Sequence, residues 1–236
     1  MLNKKEKNMS ECVFLRYETK YVIDENQYLR LIEFAESRLK PDNYGKTNVQ
    51  SLYFDTNDFR LIRRSIEKPF YKEKLRLRHY GFTDKNAFLE LKKKCNGIVF
   101  KRRIKTSVTG YNVDVMKNEQ ISKEISYFMR FYKNLSPKIL ITYDRTAFVG
   151  TGDLRITFDR NIAYRTNNLD FFKKSNETRI TDFGKILMEI KTGGAIPLWL
   201  TAFLDREKIY KTSFSKCGEA YKKEIIKTKT EVKNVG

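Results

Sequence analysis

The stretch KLRLRHYG, Lys74 to Gly81, alternates between charge and apolar bulk. Successive side chains of a strand point to opposite faces, so residues two apart lie roughly 6.5–7 Å from each other along one face. Lys74, Arg76 and Arg78 therefore share one face, and Leu75 and Leu77 the other. Three cations at that spacing repel one another. A single strand of this kind reads as a solvated outer face, although a wet face of an ordinary sheet mixes signs, because neighbours then attract. Recurrence separates the two readings.

The pattern recurs along the chain. VFLRYETKYVI (13–23) sets Arg16, Glu18 and Lys20 against Val13, Leu15, Tyr17 and Tyr21. FLELKKK (88–94) groups Glu90, Lys92 and Lys94 opposite Leu89 and Leu91. Asn96-Gly97 then suits a two-residue type I′ hairpin, and IVFKRRIK returns with Lys101, Arg103 and Lys105 on one face and Phe100 and Ile104 on the other. LITYDRTAF (140–148) puts Tyr143 and Arg145 together. LRITFD (154–159) sets Arg155, Thr157 and Asp159 against Leu154, Ile156 and Phe158, and ILMEIK (186–191) sets Glu189 and Lys191 against Ile186, Met188 and Ile190.

Helical patterns lie between these strands. Asp24 is placed to N-cap a helix over about residues 25–39; QISKEISYFMRFY carries Ile121, Ile125, Phe128 and Tyr132 at helical spacing; IPLWLTAFLDREKIY has Pro197 in its first turn. Such helices need an apolar surface, which the apolar strand faces supply. The charged faces then turn inward. An antiparallel sheet covered outside and charged inside is best closed into a barrel with a wet lumen, since an unpaired ion in a dry core costs several kcal/mol. The expected fold is α+β: a closed antiparallel eight-stranded β-barrel, charged within, helices packed on the outside. Trp199 and the lone histidine, His79 on its strand's apolar face, read as core.

The chain has 236 residues, with 48 Lys and Arg against 29 Asp and Glu, a formal charge of +19 that calls for an anionic partner. No linker divides it, so residues 10–222 read as one domain, with 1–9 and 223–236 as flexible termini. Cys12, Cys95 and Cys217 form no CxxC pair. With no signal-peptide core and no run of roughly 20 apolar residues, a reducing, cytoplasmic setting is expected. Nucleic acid is not expected, because the cations line inward strand faces rather than a recognition helix or an aromatic-studded sheet. The natural guest is phosphate-rich: Arg offers a planar fork and Lys a point charge to phosphate oxygens. The inward acids Glu18, Glu90, Glu189 and Asp159 serve either as partners of those cations or, with phosphates, as oxygen ligands for Mg²⁺ or Mn²⁺.

In order, RYETKY, SLYFDT, KLRLRHYG, LELKKK, KRRI, YDRTAFVG, LRITFDRNI, LMEIKTGG and FSKCGEAY resemble the motifs of the VTC domain, the polyphosphate polymerase domain of the vacuolar transporter chaperone, over nearly all of residues 10–222. That domain belongs to the triphosphate tunnel metalloenzymes, or CYTH superfamily. The resemblance implies an eight-stranded tunnel in which Mn²⁺ or Mg²⁺ helps transfer the γ-phosphoryl group of ATP onto inorganic polyphosphate. By position it implies Lys20, Arg76, Arg78, Lys92, Arg145 and Arg155 as catalytic residues. Glu18, Lys101, Arg103, Lys191, Ser215 and Lys216 follow as further substrate contacts, and Glu189 as the metal-binding glutamate. Two positions depart from the pattern. Arg16 replaces the first glutamate of Glu-x-Glu-x-Lys, which argues against a thiamine triphosphatase or class IV adenylate cyclase, and Ser213 stands where the fungal enzymes carry a lysine before FSK. Their phosphate-sensing domain and membrane helices are not seen here, so any membrane link would need a separate membrane protein as partner. The same tunnel also accommodates a tripolyphosphate or nucleoside triphosphate hydrolase, or a non-catalytic polyphosphate binder.

Overall fold

The computed structural model describes residues 17–67, 69–81, 86–96, 98–108, 120–173 and 175–233, with side chains as far as Glu224. Cys12, Val13, Leu15, Arg16 and Gly97, and the terminal segment 1–9, lie outside the described residues.

Among the described residues ten strands form one antiparallel sheet. They are β1 (Tyr17–Asp24), β2 (Lys40–Pro41), β3 (Thr47–Asp55), β4 (Tyr71–Tyr80), β5 (Asn86–Cys95), β6 (Ile98–Ser107), β7 (Ser136–Val149), β8 (Arg155–Arg165), β9 (Thr178–Arg179) and β10 (Lys185–Thr192). The eight long strands run in the order β1-β10-β8-β7-β3-β4-β5-β6, with β2 beside β7 and β9 beside β8. The β5–β6 hairpin has the expected two-residue connection: Cys95 pairs with Ile98, and Asn96 takes the positive φ of 45° that a type I′ turn requires.

Helices α1 (Glu25–Phe34), α3 (Gln120–Tyr132) and α4 (Leu198–Arg206) cover the convex face. Leu31, Leu200 and Phe203 pack on Ile23, Ile156, Phe158, Met188 and Ile190. Ile125, Phe128 and Tyr132 pack on Leu75, Leu77, Leu89 and Leu91, each such leucine worth roughly 1.5–3 kcal/mol when buried. His79 is fully buried beside the rings of Phe171 and Phe172, a core position as expected. Trp199 lies at the edge of the same convex core, beside Phe34.

Asp24 caps α1 through a capping box. Its carboxylate accepts from Gln27 N at 2.8 Å, and its own N–H donates to Gln27 Oε1 at 3.1 Å. The helix ends at Phe34, short of residue 39, because the chain breaks into a separate turn in which Leu39 N donates to Ala35 O. Leu39 is buried all the same, which is why its periodicity read as helical.

Two expectations are corrected. Among the described residues β1 and β6 do not pair, so the sheet is a strongly curled surface of eight long strands and not a closed barrel. The free edge of β1 is engaged elsewhere: Tyr21 bridges to Lys211, and Thr212 N donates to Lys20 O at 2.8 Å. Nor do all helices lie outside. Besides α2 (Arg60–Ile66), a helix α5 spans Lys216–Lys233. Its first turns enter the concave face, where Cys217 and Ala220 pack with Val49, Tyr53, Ile139, Ile141, Tyr143 and Leu187. The apolar run Ile139-Leu140-Ile141, with Leu140 packed in one core and Ile139 and Ile141 in the other, carries that signal, since a strand buried on both faces does not alternate.

Candidate functional site

Cross-strand register gathers the charged side chains on the concave face. Directly opposed residues share a face, and the pairs Glu18↔Lys191, Lys20↔Glu189, Glu189↔Thr157 and Arg145↔Asp159 carry one cluster across β1, β10, β8 and β7. Tyr53↔Arg76, Arg76↔Glu90 and Glu90↔Arg103 carry a second across β3 to β6.

In the first cluster Glu189 is 5% exposed and meets four cations. Its Oε1 lies 3.5 Å from Lys20 Nζ and 3.3 Å from Lys216 Nζ, and its Oε2 lies 3.5 Å from both Arg145 Nη2 and Lys191 Nζ. Asp159 is fully buried, held by a bidentate Arg145 fork at 2.6 and 2.7 Å and by Lys216 at 2.6 Å. Burial alone would raise both carboxyl pKa values. Lys216 and the other cations outweigh it, so Glu189 sits well below the ordinary carboxylate range and Asp159 is lowered too. The same attraction raises Lys216 against its own burial. Glu18 completes the group, 3.4 Å from Lys20 and 3.8 Å from Lys191.

Glu90 centres the second cluster. It is 1% exposed and lies 2.8 Å from Arg76, 3.8 Å from Arg78, 2.9 Å from Lys101 and 3.5 Å from Arg103. Burial opposes its charge, but Arg76, Arg78 and Lys101 hold it far below the usual carboxylate range. Arg103 also lies over the Phe88 ring at 3.5 Å.

Lys92 joins the clusters. From β5 it feels Glu18 and Lys20 of β1 and Lys191 of β10, strands at the opposite end of the sheet order, which shows how far the sheet curls. Burial first, then Arg76, Lys20 and Lys191, lower its pKa to about 8 despite Glu18. A lysine depressed in this way carries a charging cost in the free protein below about pH 8, relieved as pH rises towards the unfolded value. A bound polyanion restores the proton. Polyanion affinity is therefore expected to fall as pH rises through about 8, with proton uptake measurable by calorimetry in buffers of different ionisation enthalpy. Lys92→Met should melt higher than the wild type while binding the anion more weakly.

Of the residues singled out in the sequence, Glu18, Lys20, Lys92, Arg145, Lys191, Lys216 and Glu189 meet around the first cluster, and Arg76, Arg78, Lys101 and Arg103 around the second. Ser215 accepts from Lys74 Nζ at 3.0 Å. Arg155 stands apart from both clusters, with its Nη2 2.8 Å from Asp42 Oδ2. Sequence reasoning passed over Lys74, whose Nζ also lies 3.1 Å from Cys217 Sγ, although it shares a face with Arg76. It also passed over Tyr143, whose hydroxyl accepts from Arg78 and whose ring lies 4.7 Å from Lys216 and 5.2 Å from Arg145 Cζ. Those cations lower the Tyr143 pKa although its burial would raise it.

Among the described residues no three His, Cys, Asp or Glu are grouped to hold a metal ion. Glu189 and Glu18 are near enough to feel each other's charge, and both are covered by lysines. That donor set fits a hard divalent cation only together with an anion that draws the lysines off and supplies further oxygens. Among the described residues, too, no helix is long and apolar enough to cross a membrane.

No curated protein matches the chain. Solved structures similar to it include the PH1819 protein of Pyrococcus horikoshii OT3, 14% identical, with 92% of this chain and 99% of that one covered at a TM-score of 0.47. A Vibrio parahaemolyticus protein provisionally assigned as an adenylate cyclase is 11% identical, with 86% and 95% covered and a TM-score of 0.47. These are loose likenesses. The VTC domain, in contrast, matches residues 15–225, a span that holds every strand of the curled sheet and both carboxylate-centred clusters, and the chain belongs to that family.

Proposed function

We propose that this protein is a metal-dependent polyphosphate polymerase that transfers the γ-phosphoryl group of ATP onto a growing inorganic polyphosphate chain. The observation that carries the reading is the pair of buried carboxylates, Glu189 and Glu90, each ringed by four cations on one concave face. The second cluster holds four cations against one carboxylate, a surplus that a polyanion neutralises.

Phosphoryl transfer is largely positioning and neutralisation of charge on the equatorial oxygens. Arg76, Arg78, Lys101 and Arg103 exchange Glu90 for phosphate oxygens, and Lys20, Lys191 and Lys216 do the same beside Glu189. Arg145 stays forked to Asp159 and keeps one face fixed. Mn²⁺ or Mg²⁺ bound through Glu189 would polarise the transferred group.

Incubation with ATP and Mn²⁺ or Mg²⁺ tests this. ADP with chain growth and little free phosphate supports the polymerase; free phosphate without chains identifies a hydrolase; tight polyphosphate binding without turnover identifies a binder. Arg76→Ala is expected to weaken tripolyphosphate binding about tenfold to a hundredfold, as loss of a charge-assisted hydrogen bond does, measured by titration calorimetry.

A further inference from the structure

Thr157 and Arg155 on the concave face have no part in the mechanism above. Thr157 is 1% exposed, on the same face of β8 as Asp159 and directly opposite Glu189, and its Oγ1 has no hydrogen-bond partner among the described residues. The surrounding acids are turned to cations: both oxygens of Glu189 lie within 3.5 Å of Lys20, Lys216, Arg145 or Lys191, and both oxygens of Asp159 accept from Arg145, with Lys216 on Oδ2. Two residues along the same face, the buried Nε of Arg155 is also without a partner, although its Nη2 is held by Asp42. Lys191 lies across from Arg155 on β10. Buried donors are rarely left unpaired, because the desolvation cost is then met by nothing. Two orphaned donors two residues apart on one strand face, opposite Glu189 and Lys191, mark a place for acceptor oxygens.

We infer that Thr157 is a further phosphate-contacting residue, its hydroxyl donating together with the Arg155 Nε–H to oxygens of one phosphate unit. This rests on the polyphosphate reading of the same face. Arg155 was singled out in the sequence; Thr157 was read only as part of the inward face. The contact is to the ligand itself, so threonine's shape can be kept while its donor is removed.

The test uses the full chain and tripolyphosphate as the probe, by titration calorimetry alongside ligand-free melting curves. Thr157→Val should bind tripolyphosphate about tenfold more weakly, while its ligand-free melting temperature is equal to or above the wild type. Thr157→Ser, which keeps the hydroxyl, should bind as the wild type does. Thr157→Val binding undiminished overturns the inference. A lower melting temperature in ligand-free Thr157→Val also overturns it, since the hydroxyl would then have a structural partner. Wild-type protein that fails to bind tripolyphosphate overturns the polyphosphate reading, and the inference with it.

Discussion

Glu189→Gln is expected to lower metal-dependent turnover by on the order of 10²–10³, the size of effect seen when one electrostatic element is removed from a reacting centre. Glutamine keeps the shape and loses the charge. Lys20, Lys191 and Lys216, which now surround the carboxylate together with Arg145, remain to hold phosphate, so polyphosphate affinity should be retained. Turnover is measured as ADP released with Mn²⁺ or Mg²⁺, and affinity by calorimetry on the same preparation. Undiminished turnover would remove Glu189 from the chemistry. A parallel loss of affinity would make it an organiser of the lysines instead.

Glu90→Gln should act on stability. Its carboxylate is 1% exposed and is the shared partner of Arg76, Arg78, Lys101 and Arg103. Removing one side of a buried ion pair leaves the other side uncompensated and costs about 3–5 kcal/mol. For a chain of this size that lowers the melting temperature by roughly 6–20 °C. The expected signature is rescue: saturating tripolyphosphate supplies the missing negative charge and restores most of the loss, through binding to the folded state alone. Thermal melting with and without tripolyphosphate checks both parts. A variant as stable as the wild type, or one the anion does not rescue, would show that Glu90 is not the counter-charge of a phosphate site.

Much of this arrangement was legible in the sequence because strand alternation has a period of two. Leu75 and Leu77 against Lys74, Arg76 and Arg78, or Ile156 and Phe158 against Thr157 and Asp159, separate the convex core from the concave face without reference to tertiary contacts. Asp24 as an N-cap, the Asn96 turn and the burial of His79 are likewise local or nearly so. Closure was not legible. It depends on whether two distant edges meet, and here Tyr21 on the free edge of β1 meets Lys211, nearly two hundred residues away.

The alternating strands, then, set which of their side chains face the site, since every inward cation except Lys216, which enters on α5, follows from its parity along a strand. How those cations are shared out is set by long-range packing. Glu90 takes four from β4 and β6, Glu189 takes four from β1, β7, β10 and α5, and Arg155 goes to Asp42. Parity fixes the face of a side chain, but a salt bridge depends on which strands lie side by side and on where α5 enters the curl. Those are long-range outcomes of packing the two apolar cores, and no local pattern encodes them.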